Sequence, residues 1–386
     1  MEKLWTKPFV LLTVSMLFLF TSLYLLLPTM PLLVTQLGGT ESQVGLAAGV
    51  FTLAAVVFRP IVGGLLDRYG RQAFIVWGLL LFGLSMIAYD WIAGIAALMA
   101  LRVLHGASWA FSTTAVGTSI TDVIPTGRRG EGMGWYGLAM TMAMAVGPML
   151  GIWVVRNESF GGLFLLAAGL CAVSLLLASV AKAPYRPKPS SGRIALFEKS
   201  TLPAASAIFF LAFVYGGITT FVPLFAESID VNPGTFFLAY AVTLTAARPL
   251  AGKLSDRYGA AFVVVPALAV TIGSLIVLSL ADGLAGVVVS AVLYGLGFGS
   301  AQPALQAINL GLADPDRRGV ATASYMTAFD LGIGLGSIAL GWVSQYTGYP
   351  TVFQVGAGSV VVSLSIFLVL ARRMAAKHRE RANAAS

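Results

Sequence analysis

The chain is 386 residues long, 58% hydrophobic and 10% charged, with a mean hydropathy of +0.86. A soluble domain carries about 25% charged residues, so no folding of this chain could cover its apolar surface with polar side chains, and its solvent is lipid. The net charge of +8 does not point to nucleic acid, because the basic residues sit in short loops between apolar runs.

Taken from the N-terminus, Lys3 and Lys7 followed by apolar residues have the outline of a signal peptide. The run from Pro8 to Leu33 is too long for one, and no small-residue cleavage site follows it. It reads as a first span that is kept. A span needs roughly 20 apolar residues to cross the hydrocarbon. Six candidates fill the first half, at 9–33, 44–66, 73–89, 92–117, 132–155 and 161–181. Six more fill the second, at 203–225, 235–254, 261–281, 285–311, 320–344 and 350–371. All are predicted helices, since continuous apolar runs exclude a β-barrel and lipid leaves no other way to satisfy the backbone.

The predicted organisation is an N-terminal six-helix bundle (1–181), a cytoplasmic linker (182–202), a C-terminal six-helix bundle (203–372) and a basic, frayed tail (373–386). The linker is marked by proline, serine and positive charge. An even number of spans puts both termini on one side. With that side inside, the inner segments hold twenty Lys and Arg and the outer loops hold only Arg156. The excess of basic residues predicts cytoplasmic termini in a plasma membrane, as in a bacterial inner membrane.

Residues 59–70 read RPIVGGLLDRYG and residues 248–259 read RPLAGKLSDRYG; eight of the twelve positions are identical. The same offset of 189 residues maps Arg128, Arg129 and Gly130 onto Arg317, Arg318 and Gly319. It also maps Tyr136 onto Tyr325, Gly106 onto Gly295 and Gly147 onto Gly336. One constant register means two copies of one unit, the pattern of the parallel halves of a membrane transporter.

The segment Gly63 to Arg71, which includes Asp67, Arg68 and Gly70, resembles the G-x-L-x-D-R-x-G-R loop signature of the major facilitator superfamily. Gly252, Asp256, Arg257 and Gly259 repeat it in the second half, where Ala260 replaces the final arginine. The resemblance covers the whole chain and implies an all-α membrane protein of twelve transmembrane helices in two pseudo-symmetric six-helix bundles. It also implies that these loops latch an inner gate, with Asp67 facing the start of span eleven. Physically, glycines permit close helix approach, and a carboxylate is favoured at a helix N-terminus.

Arg102, with Val103, Leu104, His105 and Gly106, resembles the R-x-x-Q-G motif of the same family, with His105 in the glutamine place. Arg102, His105 and Trp109 share one helical face. A charge in mid-span costs at least about 2.5–3.5 kcal/mol, so Arg102 is expected to face a wet cavity or a partner. Ala143, Gly147, Pro148 and Gly151 resemble the G-x3-G-P-x2-G-G motif of exporters in this superfamily. A Gly-Pro pair there is expected to make a bendable, closely packed helix between the halves.

Asp330 is the only acid in the middle of any span. It lies about 18 Å along its helix from Arg318, and Arg59 lies about 12 Å from Asp67 along its own. The family arrangement then predicts a charge pair of Arg59 with Asp330, with Arg102 as a third charged group of the coupling machinery. Arg248, the copy of Arg59, faces Thr141 in place of an acid and is left to the cavity. Gln302, Gln306 and Asn309 share one face of span ten. With Tyr24, Tyr215, His105 and Trp109 they are candidate cavity residues by resemblance; helix–helix hydrogen bonds explain the polar ones equally well.

The single cysteine, Cys171, excludes an internal disulfide, and no Cys/His spacing marks a metal site. No phosphate-binding loop and no hydrolase or redox signature is present, so no cofactor and no enzyme activity are expected. These readings converge on a monomeric secondary transporter, a proton-coupled efflux antiporter for a small organic molecule. The substrate class is drug-like, or an anionic or zwitterionic metabolite such as a metallophore or a sugar derivative, given that arginines outnumber acids inside the membrane. An importer or facilitator of a small metabolite, and a non-transporting membrane sensor, are the alternatives.

Overall fold

The computed structural model describes residues 3–125, 128–181, 198–313 and 318–385. Span one is bent into α1 (Lys7–Leu26) and α2 (Met30–Gln36). The break falls at Pro28 and Pro31, and the Thr29 hydroxyl donates to the Leu25 carbonyl at 3.0 Å, satisfying a backbone acceptor at the end of α1. Spans two to seven are α3 (Glu41–Tyr69), α4 (Gln72–Ala88), α5 (Ile95–Val123), α6 (Arg129–Asn157), α7 (Phe160–Val180) and α8 (Leu202–Ser228). Spans eight to twelve are α9 (Pro233–Tyr258), α10 (Ala260–Ser279), α11 (Leu284–Leu312), α12 (Arg318–Thr347) and α13 (Tyr349–Ala385). No β-strand occurs among the described residues.

Among the described residues, eleven of these spans are long and apolar enough to cross a membrane on composition alone. The twelfth, α9, is 26 residues long and carries Arg248, Lys253 and Arg257 in its second half. The fold is therefore the all-α, two-bundle architecture expected, and the protein is a multi-pass membrane protein. One detail differs from expectation. The helix of α13 continues to Ala385, so the basic tail is helical where fraying was expected. Runs of good helix formers such as Ala375-Ala376-Lys377 let the last span propagate. At the end of the linker Glu198 is 5% exposed and its carboxylate accepts from the Ser200 amide and hydroxyl. That caps the short turn Lys199–Thr201 which starts α8.

The chain forms two compact units. One comprises Met1–Arg193 with Thr219–Leu224, the other Ile194–Ile218 with Phe225–Ser386. In the first, α1 packs on α6 and α7, α3 on α5, and α4 on α5 and α7. In the second, α11 packs on α9 and α10, and α13 on α10 and α12. Serines fasten equivalent seams in both. Ser15 and Ser22 of α1 donate to the carbonyls of Ser174 and Ala167 on α7. Ser363 of α13, the repeat copy of Ser174, donates to Ala207 of α8. In lipid such bonds and close packing hold helices together, because burying apolar side chains gains little there.

Candidate functional site

The two gate-loop copies share one backbone. α3 and α9 end at Gly70 and Gly259, with φ of 85° and 86°, a left-handed conformation that a side chain would strain. The surroundings of Gly63, Asp67, Arg68 and Asp256 lie outside the described residues, and so does the expected contact of Asp67. Gly252 meets open space, and the exposed Arg257 guanidinium stands 5.2 Å from the Tyr258 ring centre.

Arg71, the last residue of the first copy, has a defined role. Its guanidinium pairs with Asp122 and donates to the Thr118 carbonyl at 2.9 Å, fixing the loop to the end of α5. Asp122 was not singled out from sequence. The repeat held the signal: at the 189-residue offset Arg71 becomes Ala260 and Asp122 becomes Gly311, so both partners are missing together in the second half. The Arg71 side chain is 9% exposed, so removing one partner strands a desolvated charge. Arg71→Ala and Asp122→Ala are each expected to cost about 1.5–3 kcal/mol, read as a fall in the midpoint of thermal unfolding of the purified protein. The double variant should be no worse than the single variants. Additive losses would show that the two side chains act separately.

The face of α5 that carries Arg102 is closed. Arg102 is 1% and His105 0% exposed; of the two expected surroundings for Arg102, a wet cavity or a partner, the structure shows partners. The Arg102 Nε donates to the Ala47 carbonyl of α3 at 2.8 Å, and its guanidinium lies 4.4 Å from the centre of the Phe51 ring. A carbonyl and an aromatic face thus receive the charge. The His105 Nδ1 lies 2.9 Å from the Tyr89 hydroxyl, and its ring is packed by Phe51, Phe82 and Tyr89. Trp109 is enclosed by Phe20, Phe51 and Phe82.

At the repeat offset Phe51, His105 and Trp109 become Tyr240, Tyr294 and Phe298, which form the corresponding stack in the second unit. Tyr215 lies on that stack, 4.9 Å from Phe298. Tyr24 is 9% exposed and lies beside Phe20. The four aromatic and imidazole residues assigned from sequence to a cavity are buried in this structure. Each belongs to a continuous aromatic layer that would lose contacts if opened.

The exporter-like glycines pack within a unit. A Cβ on Gly147 would lie 2.5 Å from Tyr24, and one on Gly151 would lie 2.2 Å from the Leu25 carbonyl oxygen. The partner of the motif is thus α1 of the same unit, whereas the sequence reading set it between the halves. The seam recurs in the second unit, where a Cβ on Gly336 would lie 2.2 Å from the carbonyl oxygen of Phe213, the copy of Tyr24. Gly106 and Gly295 form a third repeated contact, against Phe51 and its copy Tyr240. Only glycine lets the backbones come this close.

In the second unit, Arg248 of α9 donates from Nη2 to the Gln302 side-chain oxygen at 3.2 Å, and the Tyr325 hydroxyl of α12 donates to the Gln302 carbonyl at 2.8 Å. The Asn309 amide donates to the Ala321 carbonyl at 2.9 Å, so Asn309 joins α11 to α12. Gln306 is half-buried, as are Arg59, Arg248 and Asp330. Among the described residues, no group of three or more His, Cys, Asp or Glu side chains is placed to hold a metal ion.

Comparison with known proteins gives one family. The description of the Major Facilitator Superfamily matches residues 12–308 and 233–386. The staphylopine export protein of Staphylococcus aureus is 25% identical over 387 residues, covering 94% of this chain and 96% of that protein. An MFS-type transporter of Methanocaldococcus jannaschii is 25% identical over 361 residues, covering 89% and 93%. The crystal structure of the nucleoside transporter NupG superposes with a TM-score of 0.71 at 17% identity, covering 94% of this chain and 99% of that one.

Proposed function

The chain belongs to the major facilitator superfamily of small-molecule transporters, and from that premise we propose that it exports a small organic molecule in exchange for protons, as a monomer, with both termini in the cytoplasm. The observation that carries the direction is similarity along nearly the whole chain to an export protein. The Gly147-Pro148-Gly151 motif supports the same reading, although its first glycine also has a packing role, repeated by Gly336 in the second unit. Proton exchange rests on Asp330 as the mid-span acid and on its pairing with Arg59, inferred from sequence. An anionic or zwitterionic substrate accords with the arginines of the spans.

The test of export uses everted membrane vesicles. Compounds that accumulate in the medium of cells only when the protein is present are offered to these vesicles under an imposed pH gradient. Gradient-driven uptake into everted vesicles is the expected result; loss of preloaded compound from them would mean import.

Orientation has its own check, in a Cys171→Ala background. Glu158→Cys and Tyr346→Cys, at exposed positions, should react with an impermeant thiol reagent in whole cells. Tyr69→Cys and Tyr258→Cys, also exposed, should react only after permeabilisation. The opposite pattern reverses the topology.

A further inference from the structure

The seam between α8 and α13 is fastened in the middle and open at one end. The Ser359 hydroxyl donates to the Phe210 carbonyl at 2.9 Å, and the Ser363 hydroxyl to the Ala207 carbonyl at 2.7 Å. One turn farther along, Pro203 of α8 stands across from Ile366, Val369 and Leu370 of α13, and these four line a groove of about 190 Å³. Proline suits the first turn of α8. Its ring and the large side chains opposite do not permit the close approach that small residues allow. Leu370 is buried, whereas Val369 and the neighbouring Leu202 are about half exposed. The groove is smaller than the roughly 300–1,000 Å³ of pockets for drug-sized ligands.

The groove lies where α13 leaves the membrane. The apolar span runs from Tyr349 to Arg372, and the helix continues to Ala385, about 20 Å farther. The helix face of Ile366 and Leu370 continues at three- and four-residue steps through Arg373, Lys377 and Arg381. Arg372 and, before α8, Lys199 are exposed just beyond the groove. Of the acids nearby in sequence, Glu198 is buried and accepts from Ser200, and Glu380 is the only one in the tail.

The first unit lacks this combination. The repeat copies of Ile366, Val369 and Leu370 are Leu177, Val180 and Ala181, and α7 ends at Val180. The copies of Arg372 and Arg373 are Ala183 and Pro184. Orientation in the membrane calls for charge alone, so it gives no reason for an apolar groove on the same helix face as the basic residues.

We infer that the open end of the α8–α13 seam binds one anionic phospholipid. Its acyl chain lies in the groove of Pro203, Ile366, Val369 and Leu370. Its headgroup phosphate lies at the basic turn of Arg372, Arg373 and Lys377, beside Lys199. The chain fills what the seam leaves open, and basic residues that follow a span attract anionic headgroups. The site is independent of what the protein transports and of the direction.

The experiment is native mass spectrometry of the purified full chain in a non-ionic detergent, titrated with phosphatidylglycerol or with phosphatidylcholine of the same acyl chains. One phosphatidylglycerol should be retained saturably, and phosphatidylcholine should be held far more weakly. Arg373→Gln combined with Lys377→Gln should weaken that binding about thirtyfold. Val369→Trp, at an exposed position, should occupy the groove and weaken it about tenfold or more. Val180→Trp, at the exposed copy of Val369 in the first unit, should leave it unchanged.

Equal retention of the two lipids would overturn the proposal, and so would displacement of phosphatidylglycerol by inorganic phosphate, which would make this a phosphate site. Weakening by the charge variant with none by Val369→Trp would leave only a diffuse attraction to the tail and remove the groove. Equal weakening by Val180→Trp would place the lipid elsewhere. Because the measurement needs neither substrate nor gradient, its outcome and that of the export test are separate.

Discussion

Gly151→Val is expected to abolish accumulation of folded protein, whereas Gly273→Val should be tolerated. A Cβ at position 151 would stand 2.2 Å from the Leu25 carbonyl oxygen and 2.9 Å from its carbon. Ordinary carbon–oxygen contacts begin at about 3.3 Å, so α1 and α6 would have to separate by roughly 1 Å. α1 cannot yield freely, because Ser15 and Ser22 bind it to α7 on another side. Moving it breaks those bonds or opens the opposite seam. Overpacking a well-filled site costs about 1–3 kcal/mol, and more when backbone must move.

Gly336→Val should behave in the same way, since its Cβ would meet the Phe213 carbonyl oxygen at 2.2 Å. At Gly273 nothing lies within 4 Å, so the added side chain meets no protein atom. The measurement is the yield of monodisperse protein after membrane extraction. A normal yield of Gly151→Val would show that the seam is loose and that its glycines serve transport alone.

Asp330→Asn is expected to separate exchange from driven transport. A mid-span carboxylate is costly in the membrane unless it is paired or protonated. We propose that Asp330 alternates between these two conditions, ion-paired with Arg59 in one gate state and carrying a proton in the other. The neutral amide can do neither. The variant should still exchange labelled for unlabelled substrate across vesicles, yet lose all accumulation driven by a pH gradient. Arg59→Gln should also damage transport, by leaving the carboxylate without its counter-charge. The double variant should be less impaired than the sum of the two. Full gradient-driven accumulation by Asp330→Asn would move the coupling site elsewhere, with His105 the next group to test.

The twelve spans, their grouping into two repeats and the membership of a transporter family were legible from the residues alone. Spans two to eleven are each one helix with ends close to those expected, from α3 at Glu41–Tyr69 to α12 at Arg318–Thr347, whereas span one is broken into α1 and α2 and the last runs on to Ala385. That is so because hydrocarbon thickness and the need to satisfy each backbone group act locally along the chain. The gate-loop glycines were legible for a similar reason: the conformation of Gly70 and Gly259 is a property of the turn. Which face of each helix meets which neighbour was not legible, since helices apolar all round carry little record of their orientation.

It took the folded chain to reveal that Arg102 rests on the Ala47 carbonyl and the Phe51 ring of α3, neither of which has anything ionic to announce it. It alone enclosed His105 and Trp109 in an aromatic layer and brought Asp122 to Arg71. It also set Gly147 and Gly151 against α1. Each of these contacts joins residues remote in sequence, and those at Gly106, Gly147 and Gly151 depend on how close glycine lets two backbones come.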